Sequence, residues 1–374
     1  QNDYIIGKYT GSDGGYGMGI TDESGRKLKY FVITSGGDQA KSPAYTVTLG
    51  QWYHYVVTYN STTLTSYIDG SEISSDAVTT GGDIDSTPGP LSIGRLGDLA
   101  IYFDGQIDDV RISDVARSAA WIKFAYNNMK SATNEATYAS EAVYDPFEQG
   151  WSSRKLITIQ SDNVDSDLTD FPLYVKINAD SDVGGAARSD GYDIRFTDST
   201  GLTMLSHERE SWSVTAGAAT GNFWVKVPSI TAASGATIYC YYGNQGASDG
   251  SKANDVWDAN YGGVWHLSET PPSAAVGDST SNANTGSTFG TMTAADSVTG
   301  QIGNAFDFDG SNDYVDVGND GSINITNDEI TMAAWFKADA QNQNDYIIGK
   351  YTGSDGGYGM SLTDNSGKKL KYFV

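Results

Sequence analysis

Apolar and polar residues alternate in short runs along most of this chain, with a period of two rather than 3.6, which predicts strands. Residues 51–58 (QWYHYVVT) and 63–68 (TLTSYI) flank a YNST stretch, predicting a hairpin that turns near Asn60, and Asp69-Gly70 predicts the next turn. Pro88-Gly89-Pro90 interrupts any strand, and residues 91–93 resume one. Residues 105–113 (GQIDDVRIS) give Ile107, Val110 and Ile112 as core candidates. Asp108-Asp109 breaks the alternation there and predicts a bulge. The one good helical signal follows: Ser118 can cap residues 119–127, with Ile122, Ala125 and Tyr126 on one face. Residues 131–150 are polar and rich in Ala, Ser and Thr, and read as a linker. A second set of strands is predicted at 155–160, 171–177, 193–197, 203–212, 222–227 and 237–242.

The chain also repeats itself. Residues 343–374 copy residues 1–32 with only four differing pairs: Gly19/Ser361, Ile20/Leu362, Glu23/Asn365 and Arg26/Lys368. An accidental duplication would leave no differences, so the two are read as diverged copies of one unit at a period of 342 residues. The chain then spans one period plus an overlap, beginning and stopping inside the same domain. The expected layout is 1–130 for one domain including the helix, 131–150 for a linker, 151–262 for a smaller β domain, and 263–374 for the opening of the next copy of the first domain. The two parts of that first domain either close on each other or are completed by neighbouring copies. Because the duplicated segments would compete for one place if the chain closed on itself, completion by a neighbour is the expectation.

Composition narrows the partners. With 47 acidic and 23 basic residues the formal charge is −24, which repels nucleic acid and anionic membranes. No apolar run has the roughly 18 residues a membrane span needs. The single cysteine, Cys240, allows no intrachain disulfide and reads as a buried strand residue.

Two stretches, WYHYVVTYNSTTLTSYIDG from Trp52 and FDGQIDDVRISDVARSAAWIKFAYNN from Phe103, resemble the LamG-like (concanavalin A-like) jelly-roll family. The opening of such a domain is matched at the other end by Val264-Trp265-His266-Leu267, DSTSNANTG from Asp278, AFDFDGSNDYV from Ala305 and TMAAWF from Thr331. The middle resembles a small β-rich family of unknown function through Asp193-Ile194-Arg195-Phe196, FWVKV from Phe223 and YCYYGN from Tyr239. The resemblance implies an all-β chain: an antiparallel jelly-roll sandwich plus a second, smaller β-sandwich, in tandem repeats, secreted or on a cell surface.

Candidate chemistry is sparse. Asp278, Asn282 and Asn284 supply hard oxygens at short spacing in one loop and predict a structural Ca²⁺ site, which the resemblance supports; Asp108 and Asp109 are the candidates to complete it from the other half of the domain. Asn60 and Asn324 open N-glycosylation sequons. Glu208 and Glu210 share a strand face and are read as exposed charge rather than a catalytic pair. His54, His207 and His266 are read as packed, and Trp52, Trp265 and Trp335 as core. Tyr9, Tyr16, Tyr351 and Tyr358, on Tyr-rich turns, could stack on a ligand or a neighbouring subunit. No enzyme is expected. The expected function is a structural repeat of an extracellular filament, sheath or giant adhesin whose partners are copies of itself. The alternatives are a carbohydrate-binding module with glycan partners, or an accessory region of a polysaccharide-active enzyme.

Overall fold

The computed structural model describes residues 2–11, 15–20, 23–34, 37–78, 81–87, 89–96, 101–130, 136–138, 142–143, 150–273, 275–326, 328–339, 344–353, 357–363 and 366–373. The chain divides into two compact units, one formed by 1–117 together with 259–374 and the other by 118–258.

The first unit is a sandwich assembled from both ends of the chain. In one sheet the order is Ser297–Thr299, Asn304–Asp309, Asp104–Ser113, Glu329–Ala338, Trp52–Asn60, Thr63–Ile68 and Ser71–Ala77, with Tyr261–Trp265 also paired to Asp104–Ser113. The halves interleave: Glu329–Ala338, from the second half, lies between two strands of the first and pairs antiparallel with each. Its strict alternation sends Ile330, Met332, Ala334, Phe336 and Ala338 into the core. Tyr55, Val57 and Tyr59 join them from Trp52–Asn60, and Ile107, Val110 and Ile112 from Asp104–Ser113. The step of three between Ile107 and Val110 marks the expected bulge. Asp109 has φ 52°, and the register slips between Ala333 and Trp335 opposite it. The facing sheet contains Leu91–Ile93, Tyr314–Asp316, Ser287–Phe289 and the strands of the duplicated segment.

In the second unit one sheet runs Ala136–Tyr138, Ser153–Ile159, Ala236–Tyr242, Arg195–Thr197 and Met204–Leu205; the other runs Leu168–Asp180, Ala218–Ile230 and His207–Thr215. Inward positions alternate as the sequence requires: Phe171, Leu173, Val175 and Ile177; Phe223, Val225 and Val227; Ile238, Cys240 and Tyr242 are all buried.

Two boundaries differ from the sequence reading. The helix runs Ala119–Lys130 and packs into the second unit rather than closing the first. Ser118 Oγ accepts from Trp121 N–H as its cap, Trp121 and Phe124 lie 5.4 and 5.0 Å from Phe171, and Asn128 hydrogen-bonds Tyr174 through both backbone groups. The aromatic face of the helix finds its apolar surface there. The expected linker carries two short strands, Ala136–Tyr138 and Ala142–Val143, both antiparallel to Ser153–Ile159; its other residues up to 149 lie outside the described residues.

The two halves of the sandwich pair with each other in this single chain: 329–338 finds both of its partner strands in cis.

Candidate functional site

That closure leaves one place for two ribbons. Asn2–Gly11 with Gly15–Ile20, and Asn344–Gly353 with Gly357–Thr363, form equivalent hairpins: Lys8 opposes Tyr16 as Lys350 opposes Tyr358. Both are seated on the same spot, Tyr4 upon Tyr346, Tyr16 upon Tyr358 with their rings 2° apart, and Gly7 upon Gly349. The slot makes the same bonds to each. Gly94 N–H donates to Ile5 C=O (3.0 Å) and to Ile347 C=O (2.8 Å). Tyr16 and Tyr358 hydroxyls each donate to Ile323 C=O, at 3.2 and 2.6 Å. The amines of Lys8 and Lys350 both reach Asn319 Oδ1. Two ribbons cannot fill one volume, and one N–H cannot serve two carbonyls at full strength. The two hairpins present the same groups to the same partners, Gly94, Ile323 and Asn319.

The two sequence halves are also tied by buried charge. The bulge at Asp109 sets its carboxylate against Arg111 (2.8 Å) and His266 Nδ1 (3.2 Å), with all three side chains buried. Burial alone would raise the pKa of Asp109, but the Arg111 guanidinium and the His266 contact outweigh it and hold the carboxyl below its ordinary range. His54, across the sheet from Trp335, has its pKa lowered to about 3, first by burial and then by the Arg111 charge. Asp108 Oδ2 accepts from Ile302 N–H, a second link between the halves.

The expected calcium ligands Asp278, Asn282 and Asn284 are tied into hydrogen bonds of their own loop and its neighbours. Asp278 Oδ1 accepts from Val264 and Thr280 N–H, and its Oδ2 from Thr280 Oγ1 and Asn284 N–H, so both oxygens already face donors. The Asn282 amide donates to Tyr261 C=O, and that of Asn284 to Gly262 C=O and Ser322 Oγ. Among the described residues no three His, Cys, Asp or Glu side chains form a metal-binding group. A donor-filled carboxylate does not fit a cation. The loop is an Asx-type turn, and Asp109 and His266 join the two halves independently of it.

Asn60 lies exposed on its hairpin turn, its Oδ1 accepting from Thr62 N–H, Thr62 Oγ1 and Thr63 N–H. Asn324 is half-buried; its Oδ1 accepts from Lys8 at 2.6 Å and its amide donates to Ser86 Oγ, so a glycan there would displace the hairpin lysine.

Other residues are structural in their contacts. Trp265 and Trp335 are buried, while Trp52 is half-buried beneath Lys337. Tyr16 and Tyr358 are buried in the slot, not displayed on a surface turn. Glu208 is buried against Trp257 Nε1, and Glu210 accepts from Trp224 Nε1, so the face expected to be exposed is partly internal. His207 is buried beside Phe196, and burial lowers its pKa to about 4. Cys240 is buried, which pushes its thiol pKa up. The slot residues Gly94, Asn319 and Ile323 escaped the sequence reading. The one available signal was the lysine kept in both copies.

No helix among the described residues is long and apolar enough to cross a membrane. No curated protein and no solved structure matches the chain. Residues 1–123 match the family model of the concanavalin A-like lectin/glucanases superfamily, and residues 190–265 that of a domain of unknown function (DUF2341). A domain of the former type supports a carbohydrate-binding or structural surface module. Two stretches of the chain are thus similar to known families, 1–123 to the concanavalin A-like lectin/glucanases superfamily and 190–265 to DUF2341, within a fold made mostly of antiparallel strands.

Proposed function

We propose that this chain is a structural unit of an extracellular filament, sheath or giant adhesin, in which neighbouring copies complete each other's jelly roll through the duplicated hairpin. The observation that carries this is the shared use of Gly94 N–H, Ile323 C=O and Asn319 Oδ1 by the two hairpins. Closed on itself, the chain has two hairpins for one slot. Strung in series at the 342-residue period, each junction has one hairpin for one slot, and no ribbon is left with bare edges. Contacts between halves that do not close on themselves propagate as a line. Sedimentation of the 374-residue chain tests this. The full chain should form a concentration-dependent ladder of oligomers, and a variant lacking residues 343–374 should be monomeric. A full chain that stays monomeric at every concentration sinks the proposal.

A second reading, glycan binding, has one observation in its favour. Phe289 is exposed and stacks on Tyr314 (5.1 Å, 11°), whose ring also carries Arg95 at 3.8 Å. An exposed aromatic face beside a cation suits sugar stacking. Binding to one glycan class that is lost in Phe289→Ala would favour it.

A further inference from the structure

In the second unit, Met204–Leu205 leads from one sheet into His207–Thr215 of the other, and this passage lines, together with Arg195, Asp249 and Lys252, a cavity of about 360 Å³. Arg195 is buried in the wall. Its Nη1 donates to the carbonyls of Tyr192 and Ile194, both at 2.8 Å, and its Nη2 to that of Ser248 at 2.6 Å. These bonds use three of the five guanidinium N–H groups, so two have no acceptor among the described residues. Gly250 packs so closely on the guanidinium that a Cβ there would not fit, which pins the cation in place. Lys252 stands exposed on the rim, anchored by its backbone N–H to His207 C=O at 2.7 Å. The carboxylate of the lining, Asp249, is taken up by Arg209, 2.8 Å to each oxygen, and by Ser251 N–H. Asp193, a second carboxylate near Arg195, accepts from Arg188, Gly243 and Asn244 N–H. The cavity thus keeps positive charge in a chain whose formal charge is −24.

His207 adds an acceptor to this positive wall. One ring nitrogen is hydrogen-bonded to the Leu205 backbone, and the other, Nε2, is buried with no partner among the described residues. Burial first, and then the charges of Arg195 and Arg209, lower its pKa to about 4, so the ring is neutral at physiological pH and Nε2 presents a lone pair. A buried acceptor left unmet is costly, and a ligand hydroxyl satisfies it. Met204, half exposed beside it, offers an apolar edge. We propose that this cavity binds a small carboxylate that also carries a hydroxyl group, the chemistry of a sugar acid, with the carboxylate on Arg195 and Lys252 and the hydroxyl donating to His207 Nε2. The two free N–H groups of Arg195 lie on neighbouring nitrogens of its fork, the arrangement that grips both oxygens of a carboxylate. A cavity of this size holds one sugar residue. Every residue of the site belongs to the second unit, so the proposal stands apart from the hairpin joint of the first.

Equilibrium dialysis of the full chain against labelled D-galacturonate tests this. Saturable binding is expected, with galactose, which lacks the carboxylate, and acetate, which lacks the hydroxyl, each weaker by about tenfold. Lys252→Gln changes an exposed side chain outside the core, and should weaken galacturonate about fivefold while leaving galactose unaffected. His207→Leu should bring galacturonate down to the level of acetate. An oligogalacturonate that binds more tightly than the monomer assigns the ligand to a polysaccharide chain, and one that binds no better assigns it to a free sugar acid. No saturable binding of galacturonate, equal affinity for galactose or acetate, or the same galacturonate affinity in the wild type and Lys252→Gln overturns the site.

Discussion

Asp109 concentrates much of what single residues do in this molecule. Its left-handed backbone conformation is one that aspartate tolerates, and the bulge it creates sets a carboxylate against Arg111 and His266. The bulge was legible because two adjacent aspartates interrupt an alternating run. The partnership with His266 was not, since 157 residues separate the pair and nothing local couples them. Histidines carry a second consequence at this scale. His54 and His207 are buried in neutral form, with pKa values lowered to about 3 and about 4. Between the unfolded histidine pKa near 6.5 and those lowered values, the unfolded chain binds protons that the folded chain refuses, so stability falls as the pH drops through that window. Melting curves of the wild type should shift downward from pH 6.5 to 4, and His207→Leu should flatten the part of that loss belonging to the second unit. A slope unchanged by the substitution would assign the acid loss to other groups.

Elements were read more surely than their addresses. Alternation located the strands around Tyr55, Ile107 and Phe223 to within a few residues, because a half-buried strand has to alternate. The helix was also found, but its amphipathic face says only that it packs, not against what. Trp121 and Phe124 chose Phe171 of the second unit. Asn128 then acts as a strand would: its amide donates to Tyr174 C=O at 2.9 Å and its oxygen accepts from Tyr174 N–H at 2.6 Å. Asn128→Ala would leave both of those buried backbone groups without the partner they have here. Removing buried partners costs about 1–3 kcal/mol per group, so a loss of about 2–6 kcal/mol is expected in urea denaturation of the second unit. A change below about 0.5 kcal/mol would show that the helix is held by its aromatic face alone.

Across the whole molecule, charge and connectivity set the behaviour. A formal charge of −24 invites a cation, and the sequence placed one at Asp278. The fold instead fills that carboxylate with N–H and O–H donors and ties the halves through Asp109. Chelation with EDTA should therefore leave the melting temperature of the first unit unchanged, and added calcium should not raise it beyond what equal ionic strength from another divalent salt achieves. A rise specific to calcium would reopen the loop as a metal site. The duplicated hairpin was visible as a repeat in the sequence. Its shared slot was not, because the slot is built from Gly94, Asn319 and Ile323, residues that carry no pattern of their own until strands from both halves bring them together.

If copies are joined as proposed, the two near-identical ribbons that share the Gly94 amide carry a mechanical consequence. When tension pulls one ribbon from its seat, the vacated groove is complementary to any other copy of the same 32-residue text, on that molecule or on the one beside it. Rupture at a joint then need not be permanent. A strained cable of such units can yield, slip by a whole repeat and grip again, dissipating load where a covalent staple would snap.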